Sequence, residues 1–115
     1  MELFNPRKLK FRAWNMETRL LTRLHNIECV KGELLKKHHI LLQFTGLYDT
    51  LGEEIYDMDV LLVDNLKFLV RWGPEQNGWI VSPTENTANS QPAVKKFTER
   101  TVRLLNFFES ERSAG

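Results

Sequence analysis

Cysteine is almost missing from this chain: Cys29 stands alone among 115 residues, so no internal disulfide can form. Neither it nor the three histidines have the spacing of a zinc knuckle or ribbon. A disulfide-stapled secreted scaffold is excluded, and a reducing cytoplasm is the expected home. No apolar run approaches the roughly eighteen residues of a membrane-spanning helix, and the N-terminus lacks the apolar stretch of a signal peptide. The expectation is a soluble, cytoplasmic protein without membrane association. The chain also has no Gly-x-Ser-x-Gly element, P-loop or dinucleotide fingerprint. We therefore expect no enzyme and no cofactor.

What is present is ordinary globular composition, with 42% apolar and 27% charged residues, in a length that fits one hydrophobic core. The net charge of +1 hides a segregation along the chain. Residues 1–40 carry nine Lys/Arg against four Asp/Glu, residues 41–66 carry none against six, and residues 67–115 carry seven against five. Such blocks either attract one another across a fold or give the surface a basic and an acidic side.

Alternation of apolar with charged or small side chains reads as a strand over Leu9-Lys10-Phe11-Arg12-Ala13-Trp14. Asn15 follows with turn chemistry, able to bond the backbone two residues on. Residues 19–30 fit a helical stripe and a strand about equally well. Ile40-Leu41-Leu42-Gln43-Phe44 looks like a central strand, and Asp49-Thr50-Leu51-Gly52 a reverse turn in which Gly52 takes positive φ. Val60-Leu61-Leu62-Val63, the alternating residues 66–72 and Trp79-Ile80-Val81 read as further strands, the last two joined as a hairpin. Residues 82–91 read as a polar linker. Over residues 92–115 the spacing of Val94, Phe97, Thr101, Leu104, Leu105 and Phe108 predicts one amphipathic helix of about four turns with a frayed end, Pro92 in its first turn.

Several of these segments resemble, in the right order, the anchor motifs of the YopX family of small phage and prophage proteins. Phe11-Arg12-Ala13-Trp14 is similar to that family's opening Phe-Arg-Ala-Trp-Asp. Gln43-Phe44-Thr45-Gly46-Leu47 is similar to its Gln-Tyr/Phe-Thr-Gly-Leu element, and Asp49 with Gly52-Glu53-Glu54-Ile55-Tyr56 to its Asp-x-x-Gly-x-x-Ile-Tyr turn and strand. Two positions depart: Asn15 replaces an aspartate, and Met58 replaces a glycine before Asp59. If that glycine needs positive φ, Met58 is strained or the turn is differently shaped. The resemblance covers roughly residues 9–81 and tips residues 19–30 toward strand. It implies a β-rich core with barrel-like features, a home on mobile elements and a homo-oligomer, but no activity. The expected fold is mainly β (α+β): a small twisted barrel or pseudo-barrel over residues 1–81, the linker, and the C-terminal helix, in one domain overall.

Three constellations could carry function. Lys10, Arg12 and Trp14 should project from one strand face, where the cations could meet phosphates and the indole could stack on bases, giving a weak nucleic-acid-binding domain. Trp72, Trp79, Phe107 and Phe108 are aromatic anchors, and Phe97, Leu104, Phe107 and Phe108 are the candidate self-association or partner surface of the helix. Gly46, Gly52, Asp57 and Asp59 form a turn with an acidic cluster. Asp57 and Asp59 would share a strand face as an acid/base or metal pair could require, or simply solvate a turn; Asp59 is expected to hydrogen-bond the turn at Gly46. His38 and His39 point to opposite faces of a strand, and His25 could join either only through the fold. Cys29 reads as a small core residue. The leading expectation is a non-enzymatic phage or mobile-element protein that binds a protein partner, itself or a host factor, in the host cytoplasm. The alternative is nucleic-acid binding.

Overall fold

The computed structural model describes residues 9–24, 29–30, 33–34 and 38–114. The candidate His25 and the side chain of Cys29 lie outside the described residues. The elements run β1 (Phe11–Asn15), β2 (Leu20–Leu24), β3 (Cys29–Val30), β4 (Glu33–Leu34), β5 (His39–Tyr48), β6 (Glu54–Tyr56), β7 (Asp59–Val63), β8 (Leu66–Gly73), β9 (Gly78–Pro83), β10 (Gln91–Pro92), α1 (Lys95–Thr98), β11 (Val102–Asn106) and α2 (Phe107–Ala114).

The fold is mostly β. One sheet has the order β2-β1-β5-β6 and curls as a half-barrel, a second has the order β10-β9-β8-β7-β11, and β3 with β4 makes a small hairpin. Every pairing is antiparallel. The resemblance was right to favour strand at β2 and β3.

Local chemistry explains the connections. The Asn15 side-chain oxygen accepts the N–H groups of Glu17 (2.9 Å) and Thr18 (3.1 Å), which closes the β1–β2 hairpin as the sequence suggested. Asp64 and Asn65, at φ 50° and 65°, form a two-residue turn with left-handed backbone that joins β7 to β8. Gly46, at φ 84°, lies where the β5–β6 register shifts between Phe44 and Tyr48, a bulge that bends the long strand β5. Gly52 does take positive φ, and its N–H donates to the Asp49 carbonyl at 3.1 Å.

Ile55, Leu61, Val70 and Val81 form the centre of the core, with Leu47, Phe68, Trp79, Ala93 and Phe97 packed against it. Phe68 and Phe97 meet edge to face at 5.2 Å between ring centroids, which seats the single turn of α1 on the second sheet.

The C-terminal third corrects the sequence reading. In place of one helix over residues 92–115 there are two helices with the strand β11 between them, and β11 pairs with β7. Pro92 sits in β10, at a sheet edge where a missing N–H costs nothing, rather than in a helical turn. The Thr101 hydroxyl donates to the Thr98 carbonyl at 2.7 Å where α1 ends, and the backbone then turns extended at Val102. Residues 82–91 are not a free tether either. β9 runs on through Pro83, Thr84 N–H donates to the Lys67 carbonyl (3.0 Å), and Arg71 Nη2 donates to the Thr87 carbonyl (3.0 Å).

Candidate functional site

Asp59 is fully buried at the start of β7 and accepts four hydrogen bonds. Its Oδ2 takes Tyr56 N–H at 2.7 Å and Arg103 Nε at 2.8 Å, and its Oδ1 takes Asn106 Nδ2 at 3.0 Å and Arg103 Nη2 at 3.2 Å. The expected bond to the turn at Gly46 is therefore corrected: the donors come from β6 and β11. Burial pushes the Asp59 carboxyl up, against the hydrogen bonds and charge of Arg103. Burial works against the charge of Arg103 as well, yet its hydrogen bonds and charge interaction with Asp59 hold its pKa above the usual arginine value.

Asp49, also buried, fixes the other end of the clasp. Its Oδ1 accepts Leu51 N–H (2.8 Å) and Glu53 N–H (2.9 Å), and its Oδ2 accepts Arg103 N–H (2.8 Å). Asn106 then starts α2 with a reciprocal cap: its Oδ1 accepts Phe108 N–H (3.2 Å), while Glu109 Oε1 accepts Asn106 N–H (3.0 Å). Asp57 and Asp59 are engaged in different ways. Asp59 is spent on the clasp, and Asp57 belongs to the turn before β7, its carboxyl raised to about 6 by burial and by the Asp59 charge although the backbone N–H groups of Trp72 and Met58 favour its ionised form. Met58, between them, has φ 68°, the left-handed backbone anticipated at this departure from the family pattern.

Lys10 and Arg12 do come together, on the rim of an open cleft completed by Arg23, Tyr48, Gly52, Glu53 and Glu54. Lys10 Nζ pairs with Glu54 Oε2, which holds the Glu54 carboxyl below its ordinary range and raises Lys10. Arg23 Nη2 lies 3.8 Å from Glu54 Oε1, to which the Tyr56 hydroxyl also donates at 3.1 Å. The Arg12 guanidinium carbon stands 4.2 Å from the centroid of the Tyr56 ring. Trp14 does not join them as a stacking platform: it is 5% exposed and stacks on Phe108 at 5.8 Å. The exposed aromatic at this cleft is Tyr48, which sequence reading left out because its orientation depends on the bulge at Gly46.

The candidate partner surface is split in the same way. Phe97 and Phe108 pack on the chain's own aromatics, and Phe107 meets Phe108 at 5.9 Å; none of the three is exposed. Leu104 is exposed on β11. Trp72 keeps 42% of its surface exposed while standing edge to face on Trp79 at 5.2 Å, its cross-strand partner in the β8–β9 hairpin. Among the described residues no three His, Cys, Asp or Glu side chains are placed to hold a metal ion, and no helix is long and apolar enough to cross a membrane.

Comparison with known proteins places this geometry. A family model described as YopX protein matches residues 20–105. No curated protein matches the chain. Among solved structures, the crystal structure of protein EF1440 from Enterococcus faecalis superposes with a TM-score of 0.64 at 15% identity, covering 94% of this chain and 99% of that one. At that identity the likeness is one of fold.

Proposed function

This chain belongs to the YopX family, a family of small phage- and prophage-associated proteins, and from that premise we propose that it acts without catalysis, by binding another protein chain in the host cytoplasm. The partner is a second copy of itself or a host factor. The observation that carries the reading is Trp72. A tryptophan braced by a second tryptophan on a paired hairpin offers a large, rigid, amphipathic contact at little entropic cost, the residue type most often found at the energetic centre of protein interfaces. The other large aromatics named for this role are partly buried, which favours a docking face on the β8–β9 hairpin over one on a C-terminal helix.

Light scattering of the full chain separates the two partners. A discrete oligomer that Trp72→Ser reduces to a folded monomer assigns the face to self-assembly. A monomer moves the test to a photo-cross-linking residue at position 72 in host cells, where a Trp72-centred face yields one discrete adduct. Absence of both an oligomer and an adduct overturns the reading.

A further inference from the structure

The cleft between β1, β2 and the β5–β6 turn holds three cations, Lys10, Arg12 and Arg23, and two carboxylates, Glu53 and Glu54. Its charges are unevenly used. Glu54 is held by Lys10, approached by Arg23 and bonded by the Tyr56 hydroxyl, so it is already satisfied. Arg12 is the contrast. Arg103 pairs with Asp59, Arg100 with Asp64, and Arg71 with the Thr87 carbonyl, whereas among the described residues Arg12 has only the Tyr56 ring beside it. A guanidinium braced by an aromatic ring is limited in its motions and keeps its N–H donors for a planar anion, which it can bind through two parallel hydrogen bonds.

We propose that this cleft is a carboxylate-binding site, with Arg12 as the principal donor, that takes an acidic peptide segment of the partner chain. The inference rests on the protein-binding reading above and names a second contact for it. The balance of charge chooses the ligand. Three cations against two carboxylates leave a single net positive charge, which matches one carboxylate. A nucleic-acid strand would instead bring a continuous row of phosphates past the exposed Glu53, and each further phosphate would add repulsion without a new cation to meet it. The exposed Glu53 suits a peptide, whose N–H groups it can accept. Tyr48, 43% exposed, supplies apolar contact for the residues beside the carboxylate.

The test is a nuclear magnetic resonance titration of the full-length protein with four probes. These are a short C-terminally amidated peptide containing glutamate, the same peptide with glutamine and an amidated end, the glutamine peptide with a free C-terminal carboxylate, and a short single-stranded oligodeoxythymidine. We expect saturable shifts at Arg12, Arg23 and Tyr48 with the glutamate peptide and none with the neutral one; the free-terminus peptide tells whether a main-chain carboxylate serves as well as a side chain. Arg12→Gln should weaken binding about tenfold, the loss of a charge-assisted pair, and Arg12→Lys should restore part of it. Lys96→Gln, exposed on α1, should change nothing. Equal binding of neutral and acidic peptides, no saturable shifts, indifference to Arg12→Gln in a variant that keeps its folded spectrum, or tighter binding of the oligonucleotide would each overturn the proposal. Adducts at position 72 without peptide binding would sink this site alone and leave the protein-binding reading standing.

Discussion

Arg103 Nε lies 2.8 Å from Asp59 Oδ2 although 44 residues separate them in the chain, and the pair is nearly closed to solvent, with side-chain exposures of 14% and 0%. Arg103 also donates its backbone N–H to Asp49, so one residue of β11 ties the edge of the second sheet to the turn that follows β5. Phe108, three residues beyond Leu105, then stacks on Trp14 in the first sheet. The C-terminal segment thereby adds a polar and aromatic bridge to the shared core of Ile55, Leu61, Val70 and Val81.

Removing Arg103 should cost far more than removing the charge of its partner. Arg103→Leu leaves a buried carboxylate with half its donors gone, and should destabilise by about 3–5 kcal/mol. Asp59→Asn keeps one acceptor oxygen, which still serves Tyr56 N–H and Arg103 Nε, and leaves a cation that retains Glu109 nearby, so it should cost less. Urea denaturation of the two variants checks the order; equal losses would mean that the pair adds nothing beyond its shape.

A chain ending at Val81 should not fold. It would lose β10, α1, β11 and α2, and with them the Arg103 bonds to Asp49 and Asp59, the Asn106 bond to Asp59 and the Phe108 ring on Trp14. We expect circular dichroism without a cooperative melt. A sharp transition would show that residues 1–81 hold together unaided.

These contacts mark the limit of what local pattern could reveal. The strands β1, β5, β7, β8 and β9 were legible because alternation and short apolar runs report one buried face, and the turns at Asn15 and Gly52 because their chemistry is local. Residues 94–108 misled because their apolar spacing fits a 3.6-residue period, while the choice of strand is made by Asp59 and Asp49, far away in sequence. Trp14 misled in the same way: its alternation partners Lys10 and Arg12 reach the surface cleft, but Phe108 arrives from the chain end to cover it. The cap formed by Asn106 and Glu109 was present as a spacing signal and was hidden under the longer helical stripe.

Met58 tests the backbone directly. Its φ of 68° is unfavourable for a side chain, so Met58→Gly should stabilise by about 1 kcal/mol, and the β-branched Met58→Val should destabilise by at least as much. Thermal melts of both variants decide it; a loss on Met58→Gly would mean that the packing of the methionine side chain outweighs the strain.

Asp57 gives a pH dependence with a defined sign. Its carboxyl is raised from 3.8 to about 6, so between those values the folded state binds more protons than the unfolded one. Stability should fall as pH rises through that window and level off above it. Asp57→Asn should flatten this slope, measured as the difference between variant and wild-type stability across the window. A difference that grows in the opposite direction would contradict the burial assigned to this group.

Site-specific photo-cross-linking from position 72 of the full-length protein, in the cells that naturally express it, tests the protein-binding account most directly. The account predicts one discrete adduct, with a second copy of the chain or with one host protein, and no such adduct when the cross-linking residue is moved to the exposed loop position 85. No adduct at position 72, or the same smear of products from both positions, would contradict it.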